Sequence, residues 1–180
     1  AGREDIYEIA FEMGARRSFS EKIKAEIYHL PKKITPEILA TRKDMRKMLT
    51  YTIDGAESKD LDDAISILPL DKGEKSGGQR GWKLFVHIAD VSHFVREDGE
   101  LDREARKRGT SIYLVDQVIP MLPAELSNGL CSLHPGEDKL TLTCEMEINL
   151  QGKVTHAQVY ESVILSHYRL TYREIDEMIS

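Results

Sequence analysis

Between two apolar, strand-like segments, Thr52-Ile53 and Ala64-Ile65-Ser66-Ile67-Leu68, five carboxylates fall within ten residues: Asp54, Glu57, Asp60, Asp62 and Asp63, with Lys59 the one compensating charge among them. This is the feature that most limits how the chain can fold. Two carboxylates ~4 Å apart repel by roughly 4 kcal/mol at an effective dielectric of about 20, so a fold that gathers them needs a cation to offset the cost. Hard divalent ions such as Mg2+ and Mn2+ prefer oxygen ligands and take only a few carboxylates, leaving positions for water and phosphate. An acid-rich stretch is more often a solvated turn. Here the carboxylates interrupt apolar strands, which favours a site. In an extended chain Asp60 and Asp62 point to one side and Asp63 to the other, so convergence requires a bend, and Gly55 offers one. A calcium EF-hand does not fit, because the sixth and twelfth positions from Asp60 are Ile65 and Asp71, and from Asp54 they are Lys59 and Ile65.

The chain before the knot reads as helical and connective. Ile6, Ile9, Ala10 and Met13 recur at helical spacing with Gly14 as a stop, Ser18 with Glu21 suits a capping box, and Thr35-Pro36 suits a cap with Pro at the first helical position. The last of these helices is expected to run to about residue 49, with Arg42, Lys43, Arg46 and Lys47 on a solvated face. After the knot, residues 71–81 read as a mobile surface loop. Trp82-Lys83-Leu84-Phe85-Val86-His87-Ile88-Ala89 then reads as a central strand, able to form a hairpin with the strand that follows the knot. The spacing of His87 and His93 suits no helical ligand pair. A strand-end histidine is as a rule structural, and the sharper reading of His87 is a contact to phosphate or ribose. Residues 101–108 form a basic helix stopped by Gly109, with Arg108 available for a nucleic-acid backbone and Tyr113 beyond it for base stacking or for the core. A short helix opens at Pro123, residues 140–148 alternate as a half-buried strand, a second strand returns from Gly152, and a helix begins at Tyr172.

The net charge of −6 is unusual for a nucleic-acid binder, but the knot alone carries −4 and leaves −2 for the remainder. Cys131 and Cys144 are too few for a disulfide framework and match no zinc spacing, so both are read as reduced and structural. No apolar run approaches the ~18 residues of a membrane span and no signal peptide is read at the start, so no membrane partner and a cytoplasmic location are expected.

Taken together, Thr52-Ile53-Asp54-Gly55 with Lys59-Asp60-Leu61-Asp62-Asp63-Ala64-Ile65, His87-Ile88-Ala89-Asp90-Val91-Ser92, Arg108-Gly109-Thr110-Ser111-Ile112-Tyr113, Val118-Ile119-Pro120-Met121-Leu122-Pro123 and Leu126-Ser127-Asn128-Gly129-Leu130-Cys131-Ser132-Leu133 resemble the catalytic RNB domain of the ribonuclease II and ribonuclease R family. The match covers roughly residues 42–174 and is closer to the bacterial ribonuclease R branch. The resemblance implies an α+β fold with a mixed, mainly antiparallel sheet and short helices, residues 1–50 being a helical linker and 51–180 the N-terminal part of the RNB domain. It implies a processive, Mg2+-dependent (or Mn2+-dependent) 3′ to 5′ exoribonuclease that hydrolyses single-stranded RNA to nucleoside 5′-monophosphates. The family's catalytic, metal-binding aspartates fall on Asp54, Asp60, Asp62 and Asp63, with Asp62 the one regarded as indispensable, and its base-stacking aromatic falls on Tyr113. Glu57 matches no catalytic position. His87 and Arg108 are the further RNA-contacting expectations. A monomer is expected, and flanking cold-shock and S1-type domains, a second stacking aromatic and a later Arg and Glu have no counterpart here, as for a fragment. The competing reading is a noncatalytic RNA-binding or scaffold module with an unused acidic site.

Overall fold

The structure is a computed structural model describing residues 8–9, 11–12, 14–16, 18–70, 81–114 and 118–180. Ile6, Ala10, Met13 and nearly all of the 71–81 loop, on which two of the expectations rest, lie outside the described residues. In order come α1 (Glu21–Tyr28), α2 (Pro36–Ala40), β1 (Lys43–Asp44), β2 (Tyr51–Asp54), β3 (Asp63–Pro69), β4 (Gly81–Ala89), a 3-10 turn (Val91–His93), α3 (Glu100–Arg108), β5 (Ile112–Tyr113), β6 (Val118–Ile119), a π-helical turn (Leu126–Leu130), β7 (Asp138–Asn149), β8 (Val154–Leu165), β9 (Tyr168–Thr171) and α4 (Tyr172–Ile179). The main sheet runs β1-β8-β7-β4-β3-β2-β9, antiparallel except for the outer pairs β1–β8 and β2–β9, and β5–β6 form a separate ribbon. The fold is thus the mixed, mainly antiparallel α+β arrangement expected. Among the described residues no helix is long and apolar enough to cross a membrane.

Local signals account for the helix ends. Thr35 caps α2 with Pro36 in the first turn, whereas α1 is capped by Ser20, whose Oγ accepts from the Ile23 amide, and not by Ser18. Gly109 ends α3 at φ +73, where a side chain would be strained. Thr171 and Glu174 form a reciprocal capping box on α4. The helix expected to reach residue 49 stops at Ala40, and Arg42 turns inward instead of lying on a solvated face. β1 falls within the stretch read as linker, so the sheet begins before residue 51.

The alternation of β7 makes a strand, but the buried side is the polar one. Thr141, Thr143 and Glu145 are buried, while Leu142, Cys144, Met146 and Ile148 are half-exposed on the opposite face with Val86, Ile88, Ile67 and Val159. Burying polar side chains costs little when every one is paired. Here Thr50 and Ser66 hydroxyls are 2.8 Å apart, Ser66 meets His87 Nε2 at 3.1 Å, His87 Nδ1 meets Thr143 at 2.7 Å, and Ser162 joins Thr143 at 2.5 Å and Thr141 at 2.7 Å. Glu145 accepts from Lys83, Lys43 and Tyr160. The apolar core lies on this side of the sheet, where Phe85 and Ala64 meet Ile23 and Ile27 of α1, Leu101 of α3, and Leu61, Leu126 and Leu133.

His87 is therefore corrected from an RNA contact to a member of this network: it has no exposed surface and both ring nitrogens are engaged. Burial holds its pKa down to about 4. The unfolded chain takes up this proton near pH 6.5 and the folded chain only near 4. The stability it contributes is full above about 6.5 and is lost as pH falls toward about 4, on the order of 3 kcal/mol in all. Urea unfolding at pH 7 and pH 5 is expected to show this loss in the wild type and a smaller one in His87→Gln; equal losses would remove His87 as the source.

Candidate active site

β2 ends at Asp54 and β3 begins at Asp63, so the two strands deliver both carboxylates to one end of the sheet, joined by an irregular loop that carries Asp60 and Asp62. Leu61 lies between those two with no exposed surface. Its inward anchor turns the flanking Asp60 and Asp62 outward. The Ala89 amide at the end of β4 donates to the Asp62 carbonyl at 2.9 Å, tying the loop to the adjoining strand.

The four aspartates lie within electrostatic reach of one another. The Asp54 carboxyl is pushed up by burial first and then by Asp63 and Asp60, with the Thr52 hydroxyl and Arg169 acting in the opposite direction. Asp62 is pushed up by partial burial and then by Asp60, Asp63 and Asp54. None of the four forms an ion pair among the described residues, and the Tyr113 hydroxyl donates to Asp60 Oδ2 at 3.1 Å. Among the described residues, buried Asp54 Oδ2 and Thr52 Oγ1 make no hydrogen bond of good geometry, although the hydroxyl lies near enough to lower the Asp54 carboxyl. An orphaned, buried carboxylate oxygen among like charges is the donor set that an oxygen-seeking cation fits. Among the described residues, no three His, Cys, Asp or Glu side chains converge closely enough to form a complete protein-only site.

Beside the aspartates opens a cleft of about 410 Å³, walled by Asp60, Asp62, Ile88, Thr110, Ser111 and Tyr113. Tyr113 comes from β5 and is 68% exposed, so its ring is not core. Cys131 also borders the cleft, and burial pushes its thiol up to about 12, which leaves it inert as a nucleophile.

Arg108 is not brought to the site. Its side chain is only 4% exposed: Nε donates to Glu104 at 3.0 Å, Nη1 to the Pro120 carbonyl at 2.9 Å and Nη2 to the Ser18 carbonyl at 2.8 Å, and the guanidinium lies 3.8 Å from the Phe19 ring centroid. With its donors spent inside the protein, the expected RNA contact gives way to a structural clamp between α3, β6 and the segment before α1. Two residues around the loop were not anticipated. Ser132 falls within the segment 126–133, where nothing local marks it for a role, and Arg169, from β9, stands far from the aspartates in sequence.

Residues 42–180 match the RNB domain family. The chain is 45% identical over 175 residues to ribonuclease R 2 of Lactococcus lactis, covering 97% of this chain and 25% of that protein. It is 48% identical over 161 residues to ribonuclease R of Thermotoga maritima, covering 89% and 22%. The chain thus spans about a quarter or less of the length of these curated relatives. The structure superposes on Mycoplasma genitalium RNase R solved in complex with double-stranded RNA, with a TM-score of 0.86 at 31% identity over 97% of this chain and 30% of the other. Yeast Ssd1, described as a pseudonuclease, shares the fold at a TM-score of 0.68 and 23% identity, over 84% of this chain and 18% of that one.

Proposed function

Because this chain belongs to the RNB domain family, we propose that it carries the acidic half of the active site of a processive 3′ to 5′ exoribonuclease that hydrolyses single-stranded RNA to nucleoside 5′-monophosphates. The observation that carries the reading is the set of unpaired aspartates, with Asp54 Oδ2 buried and unsatisfied, at the edge of a cleft rimmed by an exposed tyrosine. A pseudonuclease shares the fold, so the fold alone does not distinguish an enzyme from a scaffold; the complete quartet of Asp54, Asp60, Asp62 and Asp63 favours the enzyme.

Some of Asp54, Asp60, Asp62 and Asp63, with water and phosphate completing the shell, would hold Mg2+ or Mn2+. When bound, the ion would supply neutralisation of the scissile phosphate and activation of the attacking water. The chain's own part is positional. Asp62, outward on the loop, faces the cleft where the terminal phosphodiester would lie. Tyr113 presents its ring to the terminal base, a contact of about 1–3 kcal/mol that accepts any base. Its hydroxyl holds Asp60 in place.

The test is the natural polypeptide carrying this sequence, incubated with 5′-labelled single-stranded RNA and Mg2+. A ladder shortening from the 3′ end is expected, and intact RNA would overturn the reading. Tyr113→Ala is expected to lengthen the final oligonucleotide more than it slows cleavage; an unchanged end product would remove Tyr113 from the RNA path.

A further inference from the structure

Residues 55–62 carry two of the four aspartates without regular secondary structure. Two side chains from elsewhere in the sequence hold it closed. Ser132 is wholly buried, and its Oγ accepts from the Leu61 amide at 3.0 Å while donating to the Lys59 carbonyl at 3.0 Å. Those two backbone groups bracket Asp60. The neighbouring Leu133 amide donates to the Leu61 carbonyl at 2.9 Å, completing a seam between the two segments. At the other end of the loop, Arg169 Nη2 reaches the carbonyls of Ser58 at 2.7 Å, Ala56 at 2.9 Å and Gly55 at 3.4 Å. Arg169 stands opposite Thr52 in the β9–β2 pairing, two residues before Asp54, so the turn is clamped to β9, the neighbour of the strand from which it leaves.

We propose that Ser132 and Arg169 are positioning residues that hold residues 55–61 in the shape presenting the aspartates to a divalent cation, acting through the loop backbone without touching a carboxylate. The inference rests on the metal-dependent reading above. A hydroxyl is needed at 132 because one atom serves as both acceptor and donor in a space with no solvent. A long cationic side chain with several N–H donors is needed at 169, because one nitrogen, Nη2, lies within reach of three carbonyls, a task a lysine ammonium can share in part. Removing a group that orients metal ligands typically weakens metal affinity about 10–100-fold.

The experiment uses Mn2+ as a paramagnetic probe, titrated into the natural polypeptide that carries this sequence and followed by electron paramagnetic resonance. Ser132→Ala and Arg169→Gln are each expected to weaken Mn2+ binding about 10–100-fold, with Arg169→Lys recovering part of the loss and hydrogen exchange at the Leu61 amide accelerating in Ser132→Ala. In RNA cleavage by the natural polypeptide, kcat falls while KM is kept. Should Ser132→Ala fail to fold, the exposed Arg169→Gln decides alone. Folded variants with wild-type Mn2+ affinity overturn the proposal. A wild-type chain that binds no Mn2+, matching an Asp62→Asn control, overturns the metal reading itself and is thereby told apart from failure of the brace.

Discussion

Asp62→Asn is expected to lower RNA cleavage by about 10³-fold or more while leaving the unfolding temperature unchanged or higher. Removing a single preorganised electrostatic group at a reaction centre costs about 10²–10³ in rate, and a carboxylate that also holds the ion loses more. The stability half of the result follows from its surroundings. The Asp62 side chain makes no hydrogen bond or ion pair among the described residues, and its carboxyl is raised by partial burial and by Asp60, Asp63 and Asp54. A raised carboxyl pKa means that the ionised form is disfavoured in the folded chain, so this group makes the fold less stable as pH rises through the acid range. Asparagine removes that charge at nearly constant shape. The paired measurement is the unfolding temperature with and without Mg2+. The ion is expected to raise it in the wild type, by binding the folded state alone, and not in Asp62→Asn. Full cleavage activity in the variant, or a large fall in its stability without Mg2+, would mean that Asp62 is a structural residue.

The contrast between what the sequence announces here and what it conceals follows from how far each signal reaches. Asp54, Asp60, Asp62 and Asp63 are legible because they lie within ten residues and between strand-like segments, so local pattern alone brings them to one end of a sheet. The helix cap at Thr35 is legible for the same reason. The burial of Thr141, Thr143 and Glu145 is not, because the partners that make it tolerable, Ser162, His87 and Lys83, come from other strands. Arg108 looks like a free cation until the carbonyls of Ser18 and Pro120 fold around it. His87 looks like an RNA contact until Thr143, 56 residues later, claims its ring. Ser132 and Arg169 are concealed by the same distance, since each acts on backbone atoms far away in the chain and leaves no side-chain pattern beside the aspartates.

The buried pair Arg42–Asp90 is where such a distant contact carries the most energy. Arg42 Nη2 meets Asp90 Oδ2 at 2.5 Å with both side chains almost fully enclosed, and Nη1 reaches the Thr141 and Ser162 carbonyls. Asp90 also accepts from the Ser92 hydroxyl at 2.6 Å and the His93 amide at 3.2 Å, fixing the 3-10 turn. Burial alone would push its carboxyl up; the Ser92 and Arg42 bonds and the Arg42 charge overcome that and hold it below the usual range. Asp90→Asn keeps the shape but leaves the buried guanidinium only the exposed Glu161 carboxylate at 3.8 Å, for which a loss of about 3 kcal/mol is expected in urea unfolding. Because the folded pKa is lowered, the stability from this pair is present above about pH 3.9, the unfolded value, and is lost as pH falls through the folded one. Acid unfolding of the wild type should therefore show a slope below that pH which is reduced in Asp90→Asn. Adding Arg42→Met removes the stranded charge, so the double variant is expected to recover much of the loss, giving a strong coupling in the double-mutant cycle. Activity should fall as well, since the residue before Asp90, Ala89, holds the Asp62 carbonyl. Additive losses in the cycle would show that Asp90 serves the turn and not the ion pair.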